Sequence, residues 1–292
     1  MLKEPIPSPE HAKIDLAATA EFYAEKRQAQ AEVGSGPMRI AFDELGNKYL
    51  LKTTVAFKRD DESNSTAQLS LDNAIDYAQS MRTSPEEYVA DITQKLKGEE
   101  LASRLGRYLH APVPEAQLVH REQVPFVAYN FIDHITDRGF GAQLEMAANP
   151  DTRRNQQFQL AMGALMRCLA GGGDNGQYLQ QQTTGDIYVS DIGLTYPQPT
   201  DSSRQLISDN RILEFFVKSP PIRQEQLQGM KDDRFTAALR VLESLDESSL
   251  QHILLGQTQP NDHEQTLIHN LYIRKSAVID FMRQVISNPS LI

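Results

Sequence analysis

Short runs of apolar residues, separated by polar turns, characterise the first half of the chain and predict β-strands. Two such runs, residues 38–42 and 49–55, flank a polar stretch at 43–48 that contains Gly46 and Asn47. Because glycine and asparagine favour tight turns, the two runs predict a β-hairpin with Lys52 inside its second strand. Residues 116–119 and 125–132 repeat the pattern around the turn residues 120–123 and predict a second hairpin.

Helical patterns lie on either side of these strands. An Ala- and Glu-rich stretch predicts a helix over residues 16–29, before a loop signal at 33–37. Residues 58–98 are polar, and they predict an insertion of a loop followed by surface helices, since the stretch is too long for a bare connection. Leu101, Leu105 and Leu109 then recur at helical spacing and predict a helix over residues 96–109.

The second half of the chain has a mainly helical pattern. A broad apolar face recurs with helical period from Asn155 to the glycines at 171–173. Residues 178–179 and 187–189 predict a third, small hairpin. Further helices are predicted over residues 212–216, 235–245, 250–255 and 267–286. A small β-rich part with one helix, followed by a mainly helical part, predicts an α+β chain of two lobes.

Composition narrows the classes of function. The net charge of −10 argues against sequence-independent binding of nucleic acid and against docking onto an acidic membrane, because both need a basic surface. The single cysteine, Cys168, lies in an apolar helical run and is interpreted as a buried thiol rather than a nucleophile. No apolar run approaches the roughly 20 residues that span a bilayer, and no apolar signal stretch follows Met1. We therefore expect a cytoplasmic protein, with export as an effector left open.

Three features of the chain have the residue types that phosphoryl transfer requires. They are Lys52 in a predicted strand, a carboxylate at Glu99 or Glu100 near the following helix, and the polar segments 173–177 and 190–193 around the third hairpin. A strand lysine can hold a positive charge at fixed range from phosphates, and a helix carboxylate can keep it extended. Aspartate and amide oxygens suit Mg²⁺. Taken alone, a lysine in a strand is more often a solvent-facing residue.

A family resemblance follows from three segments. Residues 98–115 contain Glu-Glu-Leu-Ala followed by Pro-Val-Pro, and they resemble the glutamate-bearing helix of atypical kinases, namely the phosphoinositide 3-/4-kinase-like and HipA-like bacterial groups. Residues 124–133 are similar to the strand that leads into their interlobe hinge. Residues 187–197, with Ser-Asp-Ile-Gly-Leu, are similar to their metal-binding segment. The resemblance implies a two-lobed kinase-like fold with an N-terminal extension at 1–32, an N-lobe at 33–133 and a helical C-lobe at 134–292.

The resemblance also implies a nucleotide site that binds ATP and Mg²⁺. Lys52 would contact the α- and β-phosphates. Glu100 would hold Lys52, and it is preferred over Glu99 because Glu-Leu-Ala matches the family pattern better. The adenine would lie against residues 129–133, and the side chains assigned to it are Tyr129, Phe131 and Asp133.

The remaining implied roles concern the metal and the acceptor, which would be a protein or a lipid. Asp191 would ligate Mg²⁺, assisted by Asn175 or Gln177, and Asp174 would act on the acceptor. The catalytic loop departs from the family pattern Asp-Arg-His-x-x-Asn, because the Arg and His are missing and Gly172 stands five residues before Gln177. An inactive, pseudokinase-like interaction protein is therefore one alternative. A kinase-fold enzyme that carries out adenylylation or glutamylation is another.

Overall fold

The computed structural model describes residues 14–20, 38–43, 45–52, 84–121, 124–132, 135–137, 144–170, 177–190, 192–194, 216–217 and 219–291. The chain divides into two compact units. The sheet unit consists of the described residues within Pro7–Glu100 and Glu115–Phe131. The helical unit consists of Leu101–Pro114 and the described residues from Ile132 onward. An antiparallel sheet with a helix in one unit and mainly helices in the other confirm the predicted α+β class. The lobe boundary predicted at residue 133 falls outside the described residues.

Five antiparallel strands form the sheet of the sheet unit, in the order β1-β2-β3-β5-β4. Their bounds are β1 Ile14–Ala20, β2 Met38–Asp43, β3 Lys48–Lys52, β4 Ala116–Arg121 and β5 Val124–Asn130. Strands β2 and β3 form the first predicted hairpin, and β4 and β5 form the second, so both predictions are confirmed. Strand β3 lies in the middle of the sheet and is hydrogen-bonded on both sides.

The turn between β2 and β3 is held by one carboxylate. Asp43 accepts hydrogen bonds from the backbone N–H groups of Leu45 and Asn47 at 2.9 and 2.8 Å, and from the hydroxyl of Tyr49 at 3.0 Å. Gly46 supplies the left-handed backbone that the turn needs, with φ of 81°. Burial raises the pKa of the Asp43 carboxyl, but the hydrogen bonds outweigh it, and the pKa lies below its usual range. Turn chemistry thus fixes the register that places Lys52 at the end of β3.

Strand β1 contradicts one prediction. The sequence pattern over residues 16–29 indicates a helix. Ile14–Ala20 instead pairs antiparallel with β2, with Ile14 opposite Asp43 and Asp15 opposite Phe42. Alanine's helix preference amounts to only about 0.7 kcal/mol per residue or less over other ordinary residues, and the ladder with β2 overrides it. Residues 21–29 lie outside the described part of the chain.

The helix that crosses from one unit to the other, α1, spans Pro85–Tyr108 and is longer than predicted. It begins inside the stretch interpreted as an insertion, after a capping box in which Ser84 and Glu87 exchange backbone and side-chain hydrogen bonds. Ile92 and Leu96 belong to the buried core of the sheet unit. Leu101, Leu105 and the residue after the helix, Leu109, belong to the core of the helical unit.

The helical unit is built around α2, a helix buried along most of its second half. A three-stranded antiparallel sheet in the order β6-β7-β8 and four further helices belong to the same unit. The bounds are β6 Ile135–Asp137, α2 Pro150–Ala170, β7 Gln177–Gln181, β8 Ile187–Ser190, α3 Pro220–Met230, α4 Asp233–Ser244, α5 Glu247–Leu255 and α6 Asp262–Ser287, followed by a 3₁₀ turn at Pro289–Leu291. None of the described helices is long and apolar enough to cross a membrane.

Most predicted elements of this half are confirmed, with two differences. The helix predicted over residues 212–216 falls outside the described residues except for Phe216. Helices α2, α4, α5 and α6 and the hairpin of β7 and β8 lie where the hydrophobic pattern places them. Helix α3 is not among the predicted helices, and it begins with the Pro-Pro pair at 220–221. Proline is well tolerated in the first turn of a helix, where its missing N–H would have no partner. Strand β6 is three residues long and gives no periodic signal.

Candidate functional site

The lysine singled out in the sequence ends the middle strand of the sheet. Lys52 is the last residue of β3, opposite Met38 of β2 and Val127 of β5. Hydrogen bonding to both neighbours fixes the direction in which its side chain leaves the strand. Only 22% of that side chain is exposed, so the ammonium lies in a largely enclosed position that solvent or a ligand can still reach.

A carboxylate of α1 lies beside this ammonium. The Oε1 atom of Glu99 is 3.5 Å from Lys52 Nζ, and the Glu99 side chain is 11% exposed. Its other oxygen, Oε2, accepts a hydrogen bond from the hydroxyl of Tyr129 on β5. Leu50 faces Tyr129 across the ladder and Lys52 faces Val127, so Lys52 and Tyr129 project from the same face of the sheet. A strand, a helix and a second strand thus converge on one ion pair.

The partner of Lys52 differs from the prediction, which preferred Glu100. Ile92, Leu96 and Glu99 are spaced four and three residues apart, so they lie on the same face of α1. Ile92 and Leu96 pack in the core of the sheet unit. Glu100 is rotated about 100° further around the helix. Its carboxylate is paired with Lys97 Nζ at 2.7 Å, one turn back along the same helix. The partner role is therefore corrected from Glu100 to Glu99, the alternative that the sequence left open.

Two of the three side chains assigned to the adenine can be placed. Tyr129 is 9% exposed, and its hydroxyl is engaged by Glu99. Phe131 is half-buried, with Lys48 Nζ at 3.7 Å from its ring centroid, and its backbone N–H donates to the Lys48 carbonyl at 3.0 Å. Asp133 lies outside the described residues. Contact with adenine stays a prediction for all three.

The residues assigned to the metal and the acceptor fall at the edge of what is described. Asp174, Asn175 and Asp191 lie outside the described residues, and Gln177 is described for its backbone only. Gln177 begins β7 and pairs with Ser190, the last residue of β8. Within the described residues, the two polar segments named in the sequence therefore meet through Gln177 and Ser190 at one end of this hairpin. Their metal and catalytic roles stay predictions.

The hairpin of β7 and β8 is held by amide side chains of α2. Gln156 Nε2 donates to the carbonyl of Gly185 in the turn at 2.7 Å. Gln159 donates from Nε2 to Asp186 Oδ1 at 2.9 Å and accepts from the backbone N–H of Ile187 at 2.9 Å. Gly185 has φ of 77°, the left-handed region that a turn glycine adopts without strain. These contacts hold the turn end of the hairpin, opposite the end where Gln177 pairs with Ser190.

The single cysteine is not a nucleophile in this structure. Cys168 is buried within α2. Burial raises the pKa of its thiol to about 12, although the charge of Arg167 acts in the opposite direction. Since the thiolate is the reactive form, the interpretation of Cys168 as a buried thiol is confirmed. Among the described residues, no group of three or more His, Cys, Asp and Glu side chains could hold a metal ion.

Three solved structures have folds similar to this chain. The Helicobacter pylori proinflammatory kinase CtkA is 13% identical, over 89% of this chain and 94% of its own, with a TM-score of 0.47. HipA of Shewanella oneidensis MR-1, in a complex with HipB and operator DNA, is 12% identical over 96% and 76%, with a TM-score of 0.38. The Rio2 kinase of Chaetomium thermophilum, in an ADP/Mg²⁺-phosphoaspartate complex, is 14% identical over 89% and 75%, with a TM-score of 0.36.

No protein-family model matches the sequence, and neither does any curated protein. With every TM-score below 0.5, a functional proposal has to stand on the residues of this chain.

Proposed function

We propose that this chain is an ATP- and Mg²⁺-dependent phosphotransferase of atypical kinase-like fold that acts in the cytosol on a protein or lipid acceptor. The observation that carries the proposal is the largely enclosed ion pair between Lys52 at the end of a central strand and Glu99 on the adjoining helix. In protein kinases, phosphoryl transfer requires a strand lysine paired with a carboxylate of an adjacent helix.

Stability alone is a weak explanation for this ion pair. Taking both charges out of water costs several kcal/mol, and replacing a buried pair by apolar side chains is often neutral or stabilising. Val127, which faces Lys52 across the ladder on the same side of the sheet, is fully buried. An apolar side chain at position 52 would therefore suit this environment. An ammonium fixed in an enclosed position, still 22% exposed, is instead suited to bind an anionic ligand.

The proposed roles follow from this assignment. Lys52 contacts the α- and β-phosphates, and Glu99 keeps its ammonium extended. Asp191 and the amide oxygens of Asn175 or Gln177 ligate Mg²⁺, which prefers hard oxygen ligands of this kind.

Asp174 orients the acceptor, which takes the γ-phosphoryl group as ADP leaves. Phe131 and Asp133 adjoin the adenine.

The soluble product of the reaction tests the proposal. Purified chain is incubated with Mg·ATP labelled on the γ-phosphate, with a cell extract as the source of acceptors. A phosphotransferase releases ADP and leaves the label on the acceptor, whereas adenylylation releases pyrophosphate and leaves no label. Lys52→Met and Asp191→Ala should abolish ADP formation, and Lys275→Met, a buried lysine of the helical unit, should retain it. ADP formation that is equal in all four proteins contradicts the proposal. A folded chain that neither binds Mg·ATP nor forms product supports the pseudokinase-like alternative.

A further inference from the structure

We propose that Tyr129 is a positioning residue that orients the Glu99 carboxylate, and through it the Lys52 ammonium, toward the phosphates of a nucleotide. This inference rests on the proposed function of the Lys52 site. It differs from the role that the sequence resemblance implies for Tyr129, which is contact with adenine.

The two oxygens of Glu99 have different partners. Oε1 lies 3.5 Å from Lys52 Nζ, and Oε2 accepts from the Tyr129 hydroxyl. The last torsion of a glutamate side chain has broad, shallow minima, so one contact leaves the plane of the carboxylate free to rotate. A second contact on the other oxygen removes that freedom. Tyr129 therefore fixes the plane of the carboxylate that Lys52 meets.

Tyr129 is itself held rigidly. It lies on β5 between β3 and β4, opposite Leu50 on one side and Ala116 on the other. Its side chain belongs to the same buried core cluster as Leu96 and Val127. A tyrosine has few rotatable bonds, and packing restricts those further. A hydroxyl presented from such a position is a fixed donor, and its hydrogen bond to a charged acceptor is strengthened where water is excluded.

The consequence falls on Lys52, because a long lysine side chain loses much of its rotamer entropy when it is fixed. If Glu99 and Tyr129 fix Lys52 before a ligand binds, the free energy of phosphate binding no longer includes that loss of entropy. Loss of the Tyr129 hydroxyl should then weaken binding of the phosphates, whatever base the ligand carries.

Two ligands distinguish this role from adenine contact. Mg·ATP carries both the base and the phosphates, and Mg·tripolyphosphate carries the phosphates alone. Tyr129→Phe should raise the dissociation constant of both ligands by a similar factor, about tenfold for one hydrogen bond to a charged group. A loss confined to Mg·ATP would show that Tyr129 acts on the base, and would overturn the inference.

The sheet supplies a matched control. Tyr49 on β3 donates its hydroxyl to the Asp43 carboxylate at 3.0 Å, so Tyr49→Phe also removes one tyrosine–carboxylate hydrogen bond from this sheet. It should leave both dissociation constants unchanged. In a Glu99→Gln background, Tyr129→Phe should add little further loss, because the two residues act in series. An equal loss in the Tyr49→Phe protein, or a full additional loss in the Glu99→Gln background, would contradict a positioning role.

A measurement without nucleotide separates this inference from the proposed function. The rate at which an amine-directed reagent acylates Lys52, followed by peptide mass spectrometry, reports how firmly the ammonium is held. The rate should rise in Tyr129→Phe and stay at the wild-type value in Tyr49→Phe. If wild type binds neither ligand, the proposed function fails, while a selective rise in acylation still upholds the positioning of Lys52. An unchanged rate in Tyr129→Phe overturns the positioning itself.

Discussion

The helical unit places basic side chains against the ends of helices, whereas the sheet unit places Lys52 against a carboxylate. The last four carbonyls of a helix have no partner within it, and a cation at that end interacts favourably with the helix dipole. Three basic side chains fill this need: Arg104 donates to Leu254 at 2.7 Å, Arg274 to Leu169 at 2.9 Å, and Lys275 to Leu242 at 3.3 Å and Glu243 at 3.0 Å. Each acceptor lies in the last turn of its helix.

The ion pair of the sheet unit meets no comparable need. Glu99 lies nine residues before the end of α1, where the helix satisfies its own backbone, and its partner Lys52 is on a strand. Basic residues at helix ends are thus explained by the fold, whereas for the Lys52–Glu99 pair we propose that the reason is a ligand. Substitutions of these basic residues at helix ends should lower stability and spare nucleotide binding. Substitutions at the ion pair should do the opposite.

The largest effect on stability is expected from Gly229→Ala. A Cβ atom at Gly229 of α3 would lie 1.8 Å from the carbonyl oxygen of Gln157 on α2, and backbone cannot move aside as a side chain can. Overpacking of this kind should lower the free energy of unfolding by about 3 kcal/mol, measured by urea denaturation. Gln228→Ala, at an exposed neighbouring position, is the control and should change stability by less than about 0.5 kcal/mol. Equal stability of the two variants would show that α2 and α3 are not so closely packed.

Lys275→Met should have the next largest effect. The ammonium of Lys275 is almost fully buried and donates to two carbonyls at the end of α4, which the methionine would leave without that donor. We expect a loss of about 2 kcal/mol in the free energy of unfolding, with the affinity for Mg·ATP unchanged. Lys231→Met, at the exposed end of α3, should be nearly neutral. A loss of nucleotide affinity in Lys275→Met would remove the contrast between the two units.

Asp232→Asn should have a smaller effect, and one that depends on pH. Hydrogen bonds from Arg234, and then from Arg154, hold the pKa of the Asp232 carboxyl at about 2 against the opposing effect of burial. Because the folded pKa is below the ordinary value of 3.8, the charge stabilises the protein above that pH, and the contribution is lost as pH falls toward 2.

Asparagine retains a side-chain oxygen that can accept the hydrogen bond capping α4. The substitution Asp232→Asn therefore removes only the negative charge. We expect it to cost about 1 kcal/mol near neutral pH, allowing for the exposed arginines. The difference from wild type should shrink toward zero as pH approaches 2. A difference that does not vary with pH would mean that the charge of Asp232 does not contribute.

Local chemistry made parts of the fold predictable. The hairpin around Gly46 and Asn47 follows from turn residues next to alternating strands, and long amphipathic helices such as α6 follow from their period. Strand β1 could not be predicted in this way, because its ladder with β2 joins residues far apart in the sequence. Helix α3 is hard to predict because Pro220 and Pro221 can either break a helix or begin one, and neighbouring sequence does not decide between the two.

The candidate site was predictable in part. Lys52 stands out as a lysine within an apolar strand, whereas the choice between Glu99 and Glu100 depended on a family pattern. The spacing of Ile92, Leu96 and Glu99 along one face was a signal in the sequence that favoured Glu99. The hydroxyl of Tyr129 had no such signal, since its contact depends on the register between β3 and β5.

The central claim is that the Lys52 ammonium is positioned to bind a nucleotide. The rise in the melting temperature of the protein on addition of Mg·ATP tests this claim most directly. At about 100 times its dissociation constant, a ligand stabilises the folded state by about 2.7 kcal/mol, or on the order of 5 °C for a chain of this size. Wild type and Lys275→Met should both show this rise, and Lys52→Met should show none. No rise in wild type, or an equal rise in Lys52→Met, would contradict the claim.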